Sequence, residues 1–319
     1  MRPDDIPAGL RLCREANWNQ VAADWELFLA SSPDGCRVAI DDADKVVGSV
    51  ATIRYGDDFS WIAMVLVDPP YRGKGIGRQL LKEALDVIGE ATTALLDATP
   101  AGRAVYVPLG FREEYGLQRM ERPATVRLSA AAREMEASFG ETRRSLGAGV
   151  KADTTDDGVD VDTNIGTNSG SVRLQPDRVV RPMSDADFAD VVKHDREVFG
   201  ADRRVLLEMC RREAPEYAWA AGDGGIEGYL FGRRGYSFEQ LGPLVARDES
   251  MARVLVAACL SAHADRAFII DTPLCAAWIA WLVSAGFTPQ RPFTRMHRGD
   301  QPFRERVDQM FAIAGPEFG

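Results

Sequence analysis

The chain has 319 residues, 45% of them apolar and 27% charged, the composition of a soluble globular protein long enough for two domains with separate cores. A net charge of -10, with no basic face beyond short arginine clusters, speaks against a nucleic-acid partner. Five cysteines without a CxxC pair suggest neither a disulfide framework nor a zinc site, and no apolar run reaches the ~20 residues of a membrane span, so a reduced, cytoplasmic protein with no membrane and no metal is expected.

From Arg11 to Ala30 the apolar positions recur at helical spacing, with Trp18, Val21, Trp25, Phe28 and Leu29 forming a face. Within it, Trp18-Asn19-Gln20 reads either as a helix-boundary cap beside a core aromatic or as a substrate contact. Two strand-like runs, Arg37 to Ile40 and Val46 to Ile53, flank the turn Asp41-Asp42-Ala43-Asp44, which reads as solvated. A strand from Trp61 to Val67 then leads through Asp68-Pro69-Pro70 into Arg72-Gly73-Lys74-Gly75-Ile76-Gly77 and a helix from Gly75 to about Gly89. The glycines let backbone N–H groups converge on one point and the helix dipole adds to the same field, so the loop suits a phosphate or pyrophosphate. It is not a Walker loop, because Gly77 is followed by Arg78 and Gln79. A Rossmann fingerprint would want an acidic residue at a strand end about 20 residues on, and Asp97 sits in a different kind of segment. Next come the short buried strand Ala94-Leu95-Leu96-Asp97, a break at Pro100 and Gly102, a short helix carrying Tyr106, and a strand opened by Gly110-Phe111 toward Tyr115 to Met120.

The pattern R-x-x-G-x-G of Arg72, Gly75 and Gly77, set between VDPPY and a following Leu-Leu, closely resembles the acetyl-CoA pyrophosphate loop of the GNAT superfamily of acyl-CoA N-acyltransferases. Tyr106-x-x-x-Gly110-Phe111 is similar to a second GNAT pattern, and the resemblance spans Arg11 to about Arg122. It implies an α/β (α+β) fold, a mixed and mostly antiparallel sheet flanked by helices. It also implies acetyl-CoA as cosubstrate and the primary amine of a small molecule or peptide as acceptor. The pyrophosphate would fall to the backbone of Gly73, Lys74, Gly75, Ile76, Gly77 and Arg78, with charge from Arg72 and Lys74. The backbone of Val65, Leu66 and Val67 would meet the thioester carbonyl and the pantetheine amides. Tyr106 would lie near the sulfur as general acid, since an unperturbed phenol stays protonated at neutral pH; its other reading is a core tyrosine. Asp97 is either the base or a cap on the turn from Thr99 to Arg103. All three histidines lie in the second half, which removes a His base or Ser-His pair from the first.

Beyond Arg122, Ser129 to Ala137 suits a helix, and the Gly-, Thr-, Asp- and Asn-rich stretch that follows reads as a linker or disordered insertion. The expected division is residues 1–127, a linker at 128–178, and a second domain at 179–319. In the second, a strand end at Arg181 to Met183, helices at Asp187 to Phe199 and Arg203 to Arg212, a hairpin, and a strand-helix-strand-helix-strand series repeat the first domain's order, including Gly286-Phe287. Where the first domain has its glycine loop, the second has Val245-Ala246-Arg247-Asp248-Glu249-Ser250, whose acidic side chains would repel a pyrophosphate. This half resembles a degenerate GNAT domain, and the whole resembles tandem-GNAT proteins. Two functions follow as expectations: an N-acetyltransferase whose second domain walls the acceptor site, or a non-catalytic acyl-CoA sensor. Two such folds in one chain are compatible with a monomer.

Overall fold

A computed structural model describes residues 1–56, 59–124, 180–300 and 305–319. The expected linker and the helix at Ser129 to Ala137 lie outside the described residues, as do both domain boundaries drawn above.

The strands of the first half are β1 (Arg37–Ile40), β2 (Val46–Tyr55), β3 (Phe59–Val67), β4 (Thr93–Ala98) and β5 (Arg112–Arg122). Its helices are α1 (Ile6–Glu15), α2 (Ala22–Ser31), α3 (Ile76–Ile88) and α4 (Pro100–Tyr106). The periodic stretch from Arg11 to Ala30 is therefore two helices, with a break at Asn17, whose φ is 56°. The second half has β6 (Val180–Pro182), β7 (Trp219–Ala221), β8 (Gly228–Arg233), β9 (Glu239–Ala246), β10 (Phe268–Pro273), β11 (Thr288–Arg298) and β12 (Met310–Ala312). Its helices are α5 (Phe188–Phe199), α6 (Arg204–Glu213), α7 (Glu249–Ala262) and α8 (Ala276–Ser284).

The two halves do not form separate sheets. All these strands join one 12-stranded sheet in the order β1-β2-β3-β4-β11-β5-β10-β9-β8-β7-β6, with β12 paired to β9. Each half thus lends the other a strand. β11 lies antiparallel between β4 and β5, and β5 lies antiparallel between β11 and β10.

The cores follow the same exchange. Trp25, Phe28, Tyr55 and Trp61 of the first half share one buried cluster with Phe199, Phe231 and Phe318 of the second. Phe28 stacks on Phe318 at 5.0 Å, and Tyr55 meets Phe199 edge-on at 5.4 Å. Beneath α3, whose Leu80, Leu81, Ala84, Leu85 and Ile88 form its buried stripe, Met296 of β11 packs with Val50, Ile62 and Leu96. Among the described residues, three buried ion pairs also cross between the halves: Asp97 with Arg295, Arg119 with Asp271, and Asp24 with Arg233.

Candidate active site

Strands β3 and β4 run parallel only as far as the pair Trp61–Leu95. The cause is a bulge. Ser49 lies opposite Leu66 and Ala51 opposite Ala63, so Val50 faces both Met64 and Val65. Met64 takes a φ of 54°, unusual for a residue with a side chain, and its carbonyl accepts a 2.8 Å bond from Ser49 Oγ. Past this point β3 and β4 no longer pair, and among the described residues the backbone of Val65, Leu66 and Val67 has no strand on that side, which leaves a wedge.

The turn after Val67 is fixed by charge. Asp68 is buried, and Lys45 and then Arg11 reach it at 2.8 and 3.0 Å, holding its carboxyl below the usual range. Asp41 accepts a 2.6 Å bond from the Tyr71 hydroxyl, so the acidic hairpin turn, expected to be merely solvated, anchors the start of the glycine loop. Gly73 and Gly75 both have left-handed backbones (φ 79° and 82°), and Gly75 caps α3. The N–H groups of the first turn of α3, including Ile76, Gly77 and Arg78, have no partner within the helix. Arg72 Nε donates to Val67 O at 3.0 Å, and Lys74 Nζ lies 4.7 Å from the Tyr71 ring. Alongside α3 a cleft is lined by Gly75, Arg78, Lys82 and, from β11, Arg298.

At its other end the wedge opens into a cavity. Met64, Val65, Leu96, Asp97, Thr99 and Tyr106 line it, together with Trp18, Gln20, Arg119, Arg291, Phe293, Pro316 and Glu317. Both halves therefore build it. Thr99 caps α4 by accepting from Gly102 N at 3.1 Å, and a Cβ on Gly102 would lie 2.9 Å from the Tyr106 ring. Tyr106 packs against Phe111 at 5.9 Å, burial pushes its phenol up to about 12, and its hydroxyl has no hydrogen bond among the described residues.

Two of the expected site residues do other work. Asp97 is held through both carboxylate oxygens by Arg295 Nε and Nη2 at 2.9 Å, and its side chain is wholly buried. What the cavity meets is its backbone, so the reading of Asp97 as a base loses its geometric support. It does not cap the turn from Thr99 to Arg103 either, since Thr99 does that. Arg295 also binds Glu305, which accepts from the Tyr115 hydroxyl, and its guanidinium lies 4.6 Å from the Trp61 ring. One guanidinium thus faces two buried carboxylates, and burial raises Asp97 to about 6. This folded value exceeds the unfolded one of about 3.9, so the stability contributed by this group is complete below about pH 4 and lost as pH rises through about 6. Asp97→Asn should flatten that decline. Urea denaturation at several pH values measures it, and an unaltered slope would place the proton elsewhere.

Asn19 is the other. Its Oδ1 accepts from Ser237 N and Phe238 N at 2.9 and 3.1 Å, its Nδ2 donates to Phe238 O at 2.8 Å, and its carbonyl accepts from Tyr236 N at 2.8 Å. Asn19 is a clamp between the halves rather than a substrate contact. Trp18 and Gln20 do line the cavity, and Gln20 Oε1 is buried without a partner among the described residues. The sequence reading missed Arg119, Arg291 and Phe293, and it assigned nothing to the segment carrying Pro316 and Glu317. Strand alternation places Arg291, Phe293 and Arg295 on one face, a signal available only once β11 is assigned to this sheet.

The corresponding wedge in the second half is filled by its own chain. β9 and β10 pair in parallel at Glu239–Leu241 with Phe268–Ile270, and beyond that β12 enters, pairing with Leu244 and Val245 while Ile313 N donates to Asp271 O at 2.9 Å. Asp248 caps α7 by accepting from Met251 N at 2.9 Å. Backbone and helix terminus are thus both engaged.

Residues 32–113 and 191–312 each match a family model described as an acetyltransferase (GNAT) domain. A holothin acyltransferase of Pseudoalteromonas sp. (strain SANK 73390) is 25% identical over 305 residues, covering 95% of this chain and 87% of that protein. An uncharacterized protein of Mycobacterium leprae, ML0378, is 35% identical over 113 residues, 34% of this chain and 30% of its own length. Among solved structures, an acetyltransferase from Pyrococcus horikoshii described as putative superposes over 100% of this chain and 94% of its own, with a TM-score of 0.72 at 21% identity. A tandem GNAT protein from the clavulanic acid biosynthesis pathway covers 89% of each chain, with a TM-score of 0.53 at 15% identity.

Proposed function

The chain belongs to the GNAT superfamily of acyltransferases, as a tandem of two such domains, and from that premise we propose that its first half transfers an acetyl group from acetyl-CoA to the primary amine of a small acceptor. The observation that carries this reading is the continuity of wedge and cavity: a cosubstrate held at the glycine loop and along β3 would present its thioester beside Tyr106, in a space that both halves enclose.

In this mechanism the pyrophosphate lies on the N–H groups at the start of α3, with Arg72 and Lys74 adding charge. Arg78, Lys82 and Arg298 face the rest of the nucleotide. The pantetheine amides pair with the free edge of Val65 to Val67. The neutral amine attacks the thioester carbonyl carbon, and a C–N bond forms as the carbonyl oxygen takes up charge beside a backbone N–H of β3. The C–S bond then breaks, and Tyr106, protonated at neutral pH because its phenol is pushed up to about 12, donates its proton to the thiolate. The acceptor's ammonium gives up one proton to water before the attack, since both oxygens of Asp97 are engaged, and the second proton, shed by the nitrogen once the C–N bond has formed, returns through water to the Tyr106 phenolate.

Tyr106→Phe is expected to lower kcat by about 10² to 10⁴ and to leave the affinity for acetyl-CoA nearly unchanged, because the phosphates are held elsewhere. Thiol release in single-turnover experiments and calorimetry of acetyl-CoA binding separate the two effects. Unchanged turnover with chemistry rate-limiting would return Tyr106 to a packing role.

A further inference from the structure

The acceptor side of the cavity carries a guanidinium that has no ion pair among the described residues. Arg291 of β11 lies opposite Arg119 of β5, and Arg119 lies opposite Asp271 of β10, so the row holds two guanidiniums and one carboxylate. Asp271 is fully engaged: Arg119 Nε and Nη2 donate to its two oxygens at 2.7 Å, and Gln240 Nε2 adds a bond at 3.1 Å. Arg291 is left over. Among the described residues it has no ion pair, and its Nε is buried without a hydrogen-bond partner. Burial and the neighbouring Arg119 draw its pKa down to about 10, which still leaves it charged at neutral pH. An unpaired guanidinium in a half-buried place is costly, and it is retained where something else completes it.

The cosubstrate does not bring that partner. Its phosphates belong to the loop beyond Val67, whereas Arg291 lines the cavity together with Met64, Val65 and Tyr106. The neighbours also limit how much negative charge fits. Arg233 serves both Asp24 and Glu317, and Arg295 serves both Asp97 and Glu305, so neither has a charge to spare for a ligand. Among the described residues that line the cavity, Arg291 is the guanidinium without a carboxylate, and it can pair one.

We infer, on the N-acetyltransfer reading above, that the acceptor is a small amine that also carries a carboxylate. The carboxylate pairs with Arg291, Trp18 and Phe293 flank its carbon skeleton, and the unpartnered Oε1 of Gln20 accepts an N–H from the same molecule.

The test is a thiol-release assay with acetyl-CoA and L-amino acids, their neutral carboxamides, and aminoalkylphosphonates as paired acceptors. The intact protein should favour acids over the matching carboxamides by about 10² in kcat/KM, because the neutral amide leaves the guanidinium unpaired. In Arg291→Gln the ratio should fall toward 1. Carboxamides used as well as acids by the intact protein would overturn the inference, and that measurement needs no variant. Preference for phosphonates would overturn the choice of carboxylate. A ratio unchanged in a folded Arg291→Gln would remove Arg291 from the role. Transfer to neutral amines alone sinks only this inference, whereas no thiol release with any amine sinks the N-acetyltransfer reading as well.

Discussion

Residues 1–124, expressed without the second half, are expected not to fold, although they contain the glycine loop, the wedge and Tyr106. Three buried ion pairs would lose one partner each. Asp24 and Asp97 would stay inside without Arg233 and Arg295, and Arg119 would stay without Asp271. Breaking one such pair by removing a partner costs about 3–5 kcal/mol. Three together approach the whole stability of a domain, about 5–15 kcal/mol. The half would also lose β11 from between β4 and β5, exposing two strand edges, and Trp61 and Tyr55 would lose Phe199. Circular dichroism and soluble yield should show an unfolded or aggregated product, and co-expression with residues 180–319 should restore a soluble one-to-one complex. A folded, active fragment from residues 1–124 alone would mean that the exchanged strand is dispensable.

Gly75→Glu should reduce acetyl-CoA affinity on the order of 10⁴- to 10⁵-fold. The substitution puts a carboxylate at the cap of α3, where a pyrophosphate would sit, and two like charges about 5 Å away at an effective dielectric near 20 cost roughly 3 kcal/mol each. A Cβ at this position would meet nothing within 4 Å, so the fold should survive the left-handed strain and the loss be local. Gly75→Asn, which tolerates that backbone without adding charge, is the control. Calorimetry of the unmodified chain should give one site, because β12 fills the second wedge and Asp248 caps α7. Two equivalent sites, or undiminished binding in Gly75→Glu, would count against this assignment.

The strand, glycine loop and helix from Trp61 to Gly89 were legible because local rules act there: an apolar run, a turn and a capped amphipathic stripe need no distant partner. The bulge that opens the wedge was not. Met64 is an ordinary strand residue in sequence, and its backbone follows from register across β2. Asn19 was ambiguous because a cap and a clamp use the same amide, and its partners, Ser237 and Phe238, lie more than two hundred positions away. Asp97 was misjudged for a similar reason, since the strand pattern does not tell which guanidinium will stand opposite. The exchange of β5 and β11 leaves no mark in hydrophobic alternation, which is the same whichever sheet receives the strand.

That exchange also sets a clock on biosynthesis. Arg295 is separated from its partner Asp97 by 198 positions. At about 5–20 residues per second, an elongating ribosome covers that distance in about 10–40 s. Throughout that interval the nascent first half holds β4 with an open edge and Asp97 without its cation, while Asp24 waits only until Arg233 is made. A synonymous codon change that slows translation between β5 and β11 would lengthen this exposure and lower the yield of soluble chain, without altering one residue of the protein.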